Sequence, residues 1–376
     1  MFAWFQILLH PSDVVVSSIV CNPSIEAVVV PPVKTRLLQF DALPADKVAA
    51  LARRPLEAHL NQVITGLASG NPTPDRLAVL SYCFILARSA AMANFIVNSS
   101  LMALFVRMLG QRKCPVPIRA RVALVMGAAV RHATFISVSL QSARVRVPLP
   151  PCRCFHGRVR SPPTPLRRVV QILDVLKDCA RAKNHRLRRR AMGVLGELLF
   201  YVSTQDPADA AAAGAGHAGA GERLWSMPGW AVPMLAKSLE SSDDVKRHYA
   251  SKTLENVLAQ SGQFGPKFAT QEIGGSLLDL ALHSRSQPLK CTASSALTHL
   301  FRRAPALRGL VLERGGEGLR FICEGVRSTV PQIQRVRCGL CVACVRLCVW
   351  LCVCVTVCVC ACDGRCISHV LSTGCD

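Results

Sequence analysis

Apolar residues recur at intervals of three and four along most of the chain, the period of an amphipathic helix. The pattern is clearest from residue 242 to 303. Ser242 and Asp243 offer N-cap oxygens ahead of a segment that sets Ala250, Leu254, Val257 and Leu258 on one face. Thr270 stands ahead of a second segment, with Ile273, Leu277, Leu280 and Ala281 at helical spacing. Pro288, at the favoured first helical position, opens a third that runs through Ala293, Ala296, Leu297 and Leu300. The spacing predicts a helix, a loop, a second helix, and then the start of the same cycle.

A single pair of this kind cannot bury its own apolar stripe, so recurrence is the decisive test. Segments that begin with basic or polar residues, continue with small apolar ones and end in bulky ones start near Arg76, Ile118, Arg186, Val245 and Pro288. The intervals are 42, 68, 59 and 43 residues. Two match the armadillo and HEAT period of about 40 to 47, and the two long ones each contain a stretch with no period. Residues 138–163 are rich in Arg, Pro, Ser and Cys, and taking out those 26 residues returns the interval of 68 to 42. Residues 207–223 are mostly Ala and Gly and account for the other. The expected fold is all-α: an α-solenoid of armadillo or HEAT-like repeats over 45–330, with a disordered basic insertion at 138–163 and an Ala/Gly loop at 207–223.

Outside that array the pattern fails. Residues 1–44 carry Asn22-Pro23 and Pro31-Pro32 among valines and read as an extended linker. Helix begins at Ala45 to Arg53 and continues from Pro55 to Ser69, with Leu56, Leu60, Val63, Ile64 and Leu67 as its buried stripe. Residues 331–376 form a Cys/Val-rich low-complexity tail. From Gly339 to Cys362 the run is long enough to cross a bilayer. Nearly strict Cys-Val alternation is also what a two-base repeat encodes. An artefact of the gene model, a membrane segment and a metal-rich tail therefore stand as readings, the first preferred.

Composition narrows this picture. Hydrophobic residues make up 51% of the 376, yet aromatics only 5%, so Ala, Leu and Val must do the packing, as close helix stacking allows. The formal charge of +22 suggests an anionic partner. It is unevenly spread: Arg144 to Arg190 holds fourteen Lys or Arg against two Asp, a net +12 in one-eighth of the chain. Of nineteen cysteines, eleven lie between Cys338 and Cys375. Others, such as Cys83, Cys179 and Cys291, occupy helix positions where a buried free thiol is the ordinary state. Met1 to Leu9 lacks the basic start of a secretory signal, so a cytoplasmic location is expected.

No catalytic constellation emerges. Gly214-Ala215-Gly216-His217-Ala218-Gly219 spells the phosphate-cradle pattern, but an Ala-rich run stands where the required strand should be, so a flexible loop is expected. Cys338-x2-Cys341-x2-Cys344 and Cys362-x3-Cys366 flank an apolar run with too many competing thiols for a closed zinc site. His132, His248 and His299 fall within or at the ends of repeat helices as ordinary core or surface residues. No cofactor, metal or enzymatic activity is expected. The one candidate for partner binding is a ridge of cations at repeat-helix starts, made of Arg119, Arg121, Arg188, Arg189, Arg190, Lys246 and Arg247, set against solvated helix ends as the plainer reading.

Several stretches together resemble a known family. They are His10-Pro11-Ser12-Asp13 with Asn22-Pro23, Asn98-Ser99-Ser100-Leu101, Leu195-Gly196-Glu197-Leu198-Leu199-Phe200-Tyr201 with Thr204-Gln205, and the run from His248 to Val257. In this order they resemble the helical-repeat half of the fourth uncoordinated-like kinase, a pseudokinase, and of its plant counterpart Runkel, over about residues 7 to 330. The resemblance implies a scaffold that recruits microtubule, ciliary or cytokinetic proteins. The chain departs from the family pattern in lacking the kinase-like domain, in the basic insertion and in the cysteine tail, so nucleotide binding is not carried over. Glu197, Lys252, Glu255 and Asn256 are expected to serve inter-repeat hydrogen bonding or i, i+3 and i, i+4 pairing. The leading expectation is a non-enzymatic scaffold in the cytoplasm, cytoskeleton or cilium. Its partners would be proteins, with an acidic surface such as the microtubule among the candidates, and no membrane unless the tail is genuine. The alternative is an arginine-rich helical-repeat protein that binds nucleic acid.

Overall fold

The computed structural model describes residues 25, 32–137, 140, 172–205, 225–260 and 264–318. Every regular element among them is helical and none is a strand. The described residues from 32 onward divide into two compact units, one within 27–227 and one within 228–318. The basic insertion apart from Leu140, the Ala/Gly loop with its glycine pattern, and the cysteine tail all lie outside the described residues.

In the first unit the helices are α1 (Ala45–Ala49), α2 (Arg53–Gly66), α3 (Thr73–Leu86), α4 (Ala90–Val97), α5 (Ser100–Gly110), α6 (Val116–His132), α7 (Ile172–Cys179) and α8 (His185–Ser203). Helices α3, α6 and α8 pack side by side as one layer, while α2, α5 and α7 succeed one another as a second. The buried stripes explain the order. Leu80, Cys83 and Leu86 of α3, Val122, Val125, Met126 and Ala129 of α6, and Ala191, Leu195, Leu198 and Leu199 of α8 are all essentially inaccessible to water. Each is spaced by three or four, so each stripe needs a neighbour on both sides. Backbones come close where side chains are small: a Cβ added at Gly127 of α6 would stand 3.3 Å from Val194 Cγ2 of α8.

Local chemistry sets the helix ends. Ser99 accepts the Leu101 amide at the start of α5, and Asn184 accepts the Leu187 amide at the start of α8. Two asparagines one turn apart, Asn94 of α4 and Asn98 at its C-terminal cap, hold the strap that follows α6. Asn94 Oδ1 accepts the amides of Thr134 and Phe135 at 2.8 and 3.1 Å, while Asn98 Oδ1 accepts that of Ser137 at 2.8 Å. The strap then presents Ile136 to Tyr201 and Trp225, and the Trp225 indole N–H donates to the Ile136 carbonyl at 3.2 Å. Before α1, residues 35–37 make a 3-10 turn and Phe40 lies against His59 and Tyr82.

The second unit repeats the plan with α9 (Ala231–Leu239), α10 (Asp244–Ala259), α11 (Gly265–Phe268), α12 (Gln271–His283), α13 (Gln287–Arg303) and α14 (Gly309–Glu313). Helices α10 and α13 form one layer, α9 and α12 the other. The expected caps are in place: Asp243 accepts the Val245 and Lys246 amides, Thr270 accepts that of Ile273, and Pro288 sits in the first turn of α13. All the stripe residues predicted for this region, from Ala250 to Leu300, are buried.

Candidate functional site

The seven basic residues of the expected ridge have different fates. Arg119, at the start of α6, donates from Nε to the Leu109 carbonyl at 2.9 Å and from Nη2 to Cys179 Sγ at 3.3 Å, tying together the ends of α5 and α7. Arg188 donates to the Ala182 and Lys183 carbonyls and closes the turn before α8. Arg247 pairs with Asp244 one turn back. Arg189 and Lys246 are half-buried and also have partners. Three of the seven, Arg119, Arg188 and Arg247, are thus committed to carbonyls or a carboxylate of their own surroundings, as expected near helix ends whose backbone groups need partners. Lys246 and Arg247 belong to one unit and the five arginines to the other.

Arg121 and Arg190 behave differently. Arg121 Nη1 donates to Ser81 Oγ of α3 at 2.8 Å. Burial first, then the nearby Arg190 guanidinium, lower the Arg121 pKa below its ordinary value. Among the described residues no carboxylate pairs with either arginine. Three successive helices of one layer therefore bring Ser81, Arg121 and Arg190 together.

These residues head three stripes on the same layer. On α3, Ser81 and Ile85 stand at i and i+4, with Arg88 following in the turn beyond its end, and Ile85 is 40% exposed. On α6, Arg121, Leu124, Ala128 and Arg131 recur at i, i+3, i+7 and i+10; on α8, Arg190, Gly193 and Glu197 do the same over two turns. At the far end Arg131 Nε donates to Glu197 Oε1 at 2.8 Å. Arg88, Arg131 and Glu197 all act on His132, whose pKa is lowered chiefly by burial. The sequence reading passed over Ser81, Ile85, Arg88 and Arg131, although their spacing was visible in it.

In the second unit the polar residues in apolar helices serve packing, as expected. Lys252 pairs with Glu255 at 2.9 Å, and Glu255 accepts from Ser295 Oγ of α13 at 2.8 Å. His248 meets Thr292 Oγ1 at 3.4 Å. A cavity of about 380 Å³ is lined by Asp244, Arg247, Asp279, His283 and Arg285, and its two carboxylates are paired with Arg247 and Arg314. Among the described residues no group of three or more His, Cys, Asp or Glu could hold a metal ion, and no single helix is long and apolar enough to cross a membrane. Cys83, Cys114, Cys179 and Cys291 are buried and form no disulfide, and burial pushes the Cys83 thiol up to about 12.

The histidines make a pH dependence. Burial is the first cause that lowers the pKa of His59, His132, His248 and His299. A lowered folded-state value means that the unfolded chain takes up protons first as the pH falls. The stability these groups allow is complete above the ordinary histidine pKa of about 6.5 and is lost as the pH drops through the folded values. The urea midpoint is expected to be lower at about pH 5.5 than at about pH 7.5. A midpoint that stays level or rises on acidification would contradict this.

Comparison with known proteins agrees with the geometry. No family model matches the sequence. The chain is 26% identical over 291 residues to serine/threonine-protein kinase RUNKEL of Arabidopsis thaliana, covering 74% of this chain and 19% of that protein. It is 25% identical over 343 residues to serine/threonine-protein kinase ULK4 of Mus musculus, covering 88% and 23%. The chain thus spans about a fifth of the length of these curated relatives. Among solved structures, an engineered protein superposes with a TM-score of 0.52 at 15% identity, over 76% of this chain and 96% of its own. A designed armadillo repeat protein gives 0.51 at 12%, over 76% and 99%. The resemblance read from the residues therefore holds: the chain is an all-α helical-repeat protein of armadillo type, similar in sequence to a segment of two proteins named as kinases.

Proposed function

We propose that this chain is a non-catalytic scaffold module that binds protein partners of the microtubule, ciliary or cytokinetic machinery in the cytoplasm. The observation that carries the proposal is the combination of an armadillo-type stack with sequence similarity to RUNKEL and ULK4 across most of this chain. Stacked helices expose side chains at fixed intervals on a rigid layer, which suits recognition by contact. The polar groups described in the second unit are tied to one another and stabilise the helices.

The test is co-sedimentation of the full chain with polymerised tubulin at physiological salt. The chain is expected in the pellet only when polymer is present. Finding it in the supernatant at every polymer concentration would remove the microtubule part of the proposal. The excess of positive charge supports a rival, a nucleic-acid-binding repeat protein. Binding to single-stranded RNA that falls steeply with salt and survives removal of residues 138–163 would favour that rival.

A further inference from the structure

The first unit holds a pair of guanidinium groups that its described residues leave without a counter-charge. Arg121 is half-buried, fixed from one side by Ser81 Oγ at 2.8 Å, and close to Arg190 on the next helix of the layer. Holding two such cations together on a partly desolvated face costs free energy unless an anion joins them. Neighbouring arginines have been relieved: Arg131 has Glu197, and Arg119 and Arg188 have carbonyls. Among the described residues no carboxylate or carbonyl relieves Arg121 or Arg190 in this way.

The surface next to the pair indicates the kind of anion. Below Ser81, Arg121 and Arg190, the same three helices present Ile85, Leu124, Ala128 and Gly193, which are apolar or small. Beyond these stand Arg88 and the Arg131–Glu197 pair. The stripe thus carries four arginines against one glutamate, with an apolar floor between its charged ends. Phosphate alone would use the cations and ignore the floor. A nucleic-acid strand needs stacking aromatics or a continuous basic track, and this floor has no aromatic side chain. A peptide with carboxylates flanking an apolar residue matches both parts, since guanidinium groups bind carboxylates through paired N–H donors.

We propose that the α3–α6–α8 layer is a docking surface for an acidic protein segment, with Arg121 and Arg190 clamping one carboxylate and an apolar side chain of the segment lying over Ile85, Leu124 and Ala128. This deepens the scaffold reading by naming the chemistry of the partner, and it rests on that reading.

The experiment measures fluorescence anisotropy of a short labelled peptide of Glu-Glu-Leu repeats titrated with the full chain. Arg190→Gln is the main variant, because Arg190 makes no described hydrogen bond that its loss would remove from the fold. Arg121→Gln with Arg190→Gln is the stronger one. The control is Arg112→Gln with Lys113→Gln, an exposed pair on the turn before α6 that removes the same charge as the double variant. Loss of one charge-assisted contact is expected to weaken peptide binding by about tenfold in Arg190→Gln and more in the double variant, against less than about twofold in the control. Equal loss in the control and the double variant would reduce the effect to general charge and overturn the proposal, as would unchanged binding in both site variants. Binding of a poly-uridine strand that the site variants abolish, with no binding of the peptide, would assign the clamp to nucleic acid instead. Co-sedimentation with tubulin that persists in the double variant would leave the scaffold reading standing while this docking surface fell.

Discussion

Replacing Trp225 by alanine is expected to destabilise the first unit by about 3 to 5 kcal/mol, the largest single effect we foresee. Trp225 is fully buried, with its ring edge-on to Tyr201 at 6.2 Å between centroids. Its backbone amide donates to Gln205 Oε1 at 2.8 Å, and its indole N–H donates to the Ile136 carbonyl. Alanine would leave a cavity the size of an indole and remove one of the two donors to that carbonyl, since the Tyr201 hydroxyl also donates to it. Trp225→Phe should lose less, because a ring still fills most of the space. Urea unfolding followed by far-ultraviolet circular dichroism measures both, and a loss below about 1 kcal/mol in Trp225→Ala would show that the site relaxes around the missing ring.

The second large effect is expected from Asn94→Ala combined with Asn98→Ala. The two side chains make five hydrogen bonds to residues 134–137, accepting from three backbone amides and donating to the Thr134 hydroxyl and the Phe135 carbonyl. Several of these are partly exposed, so water replaces some of what is lost, and the expected cost is roughly 2 to 3 kcal/mol. Both predictions act through one strap, because the asparagines hold the segment that carries Ile136 to Trp225. A variant with all three substitutions should therefore lose less than the sum of the separate losses. Strict additivity would show that the strap does not transmit between them.

Helices α10, α12 and α13 could be read because each pairs a one-sided apolar stripe with a cap or a proline at its start, at Asp243, Thr270 and Pro288. The roles of Glu255 and Lys252 could also be read, since a charged residue inside an apolar stripe needs a partner within one turn or on the next helix. Helix α4 could not be. Its sequence, Ala90 to Val97, has only Asn94 as a polar residue and so offers no contrast between faces. It turns by 66° into α5, so that in sequence its apolar residues run on toward those of α5. For the cation ridge the limit lies elsewhere. Charge is visible in a sequence, but the Leu109 and Ala182 carbonyls that absorb Arg119 and Arg188 are not. What separates Arg121 and Arg190 from the others is that no described carboxylate or carbonyl meets them in three dimensions, and no periodicity encodes that.

The ties between successive repeats join residues close to one repeat apart: Ser81 with Arg121, Asn94 with Thr134 and Glu255 with Ser295 are each separated by 40 residues. Contacts of such short range close small loops, and chains built from them fold quickly. As the ribosome extends the polypeptide, each new hairpin meets its neighbour once one further repeat has emerged. Assembly can then advance step by step from the amino-terminal side, without waiting for the carboxyl-terminal half to be synthesised.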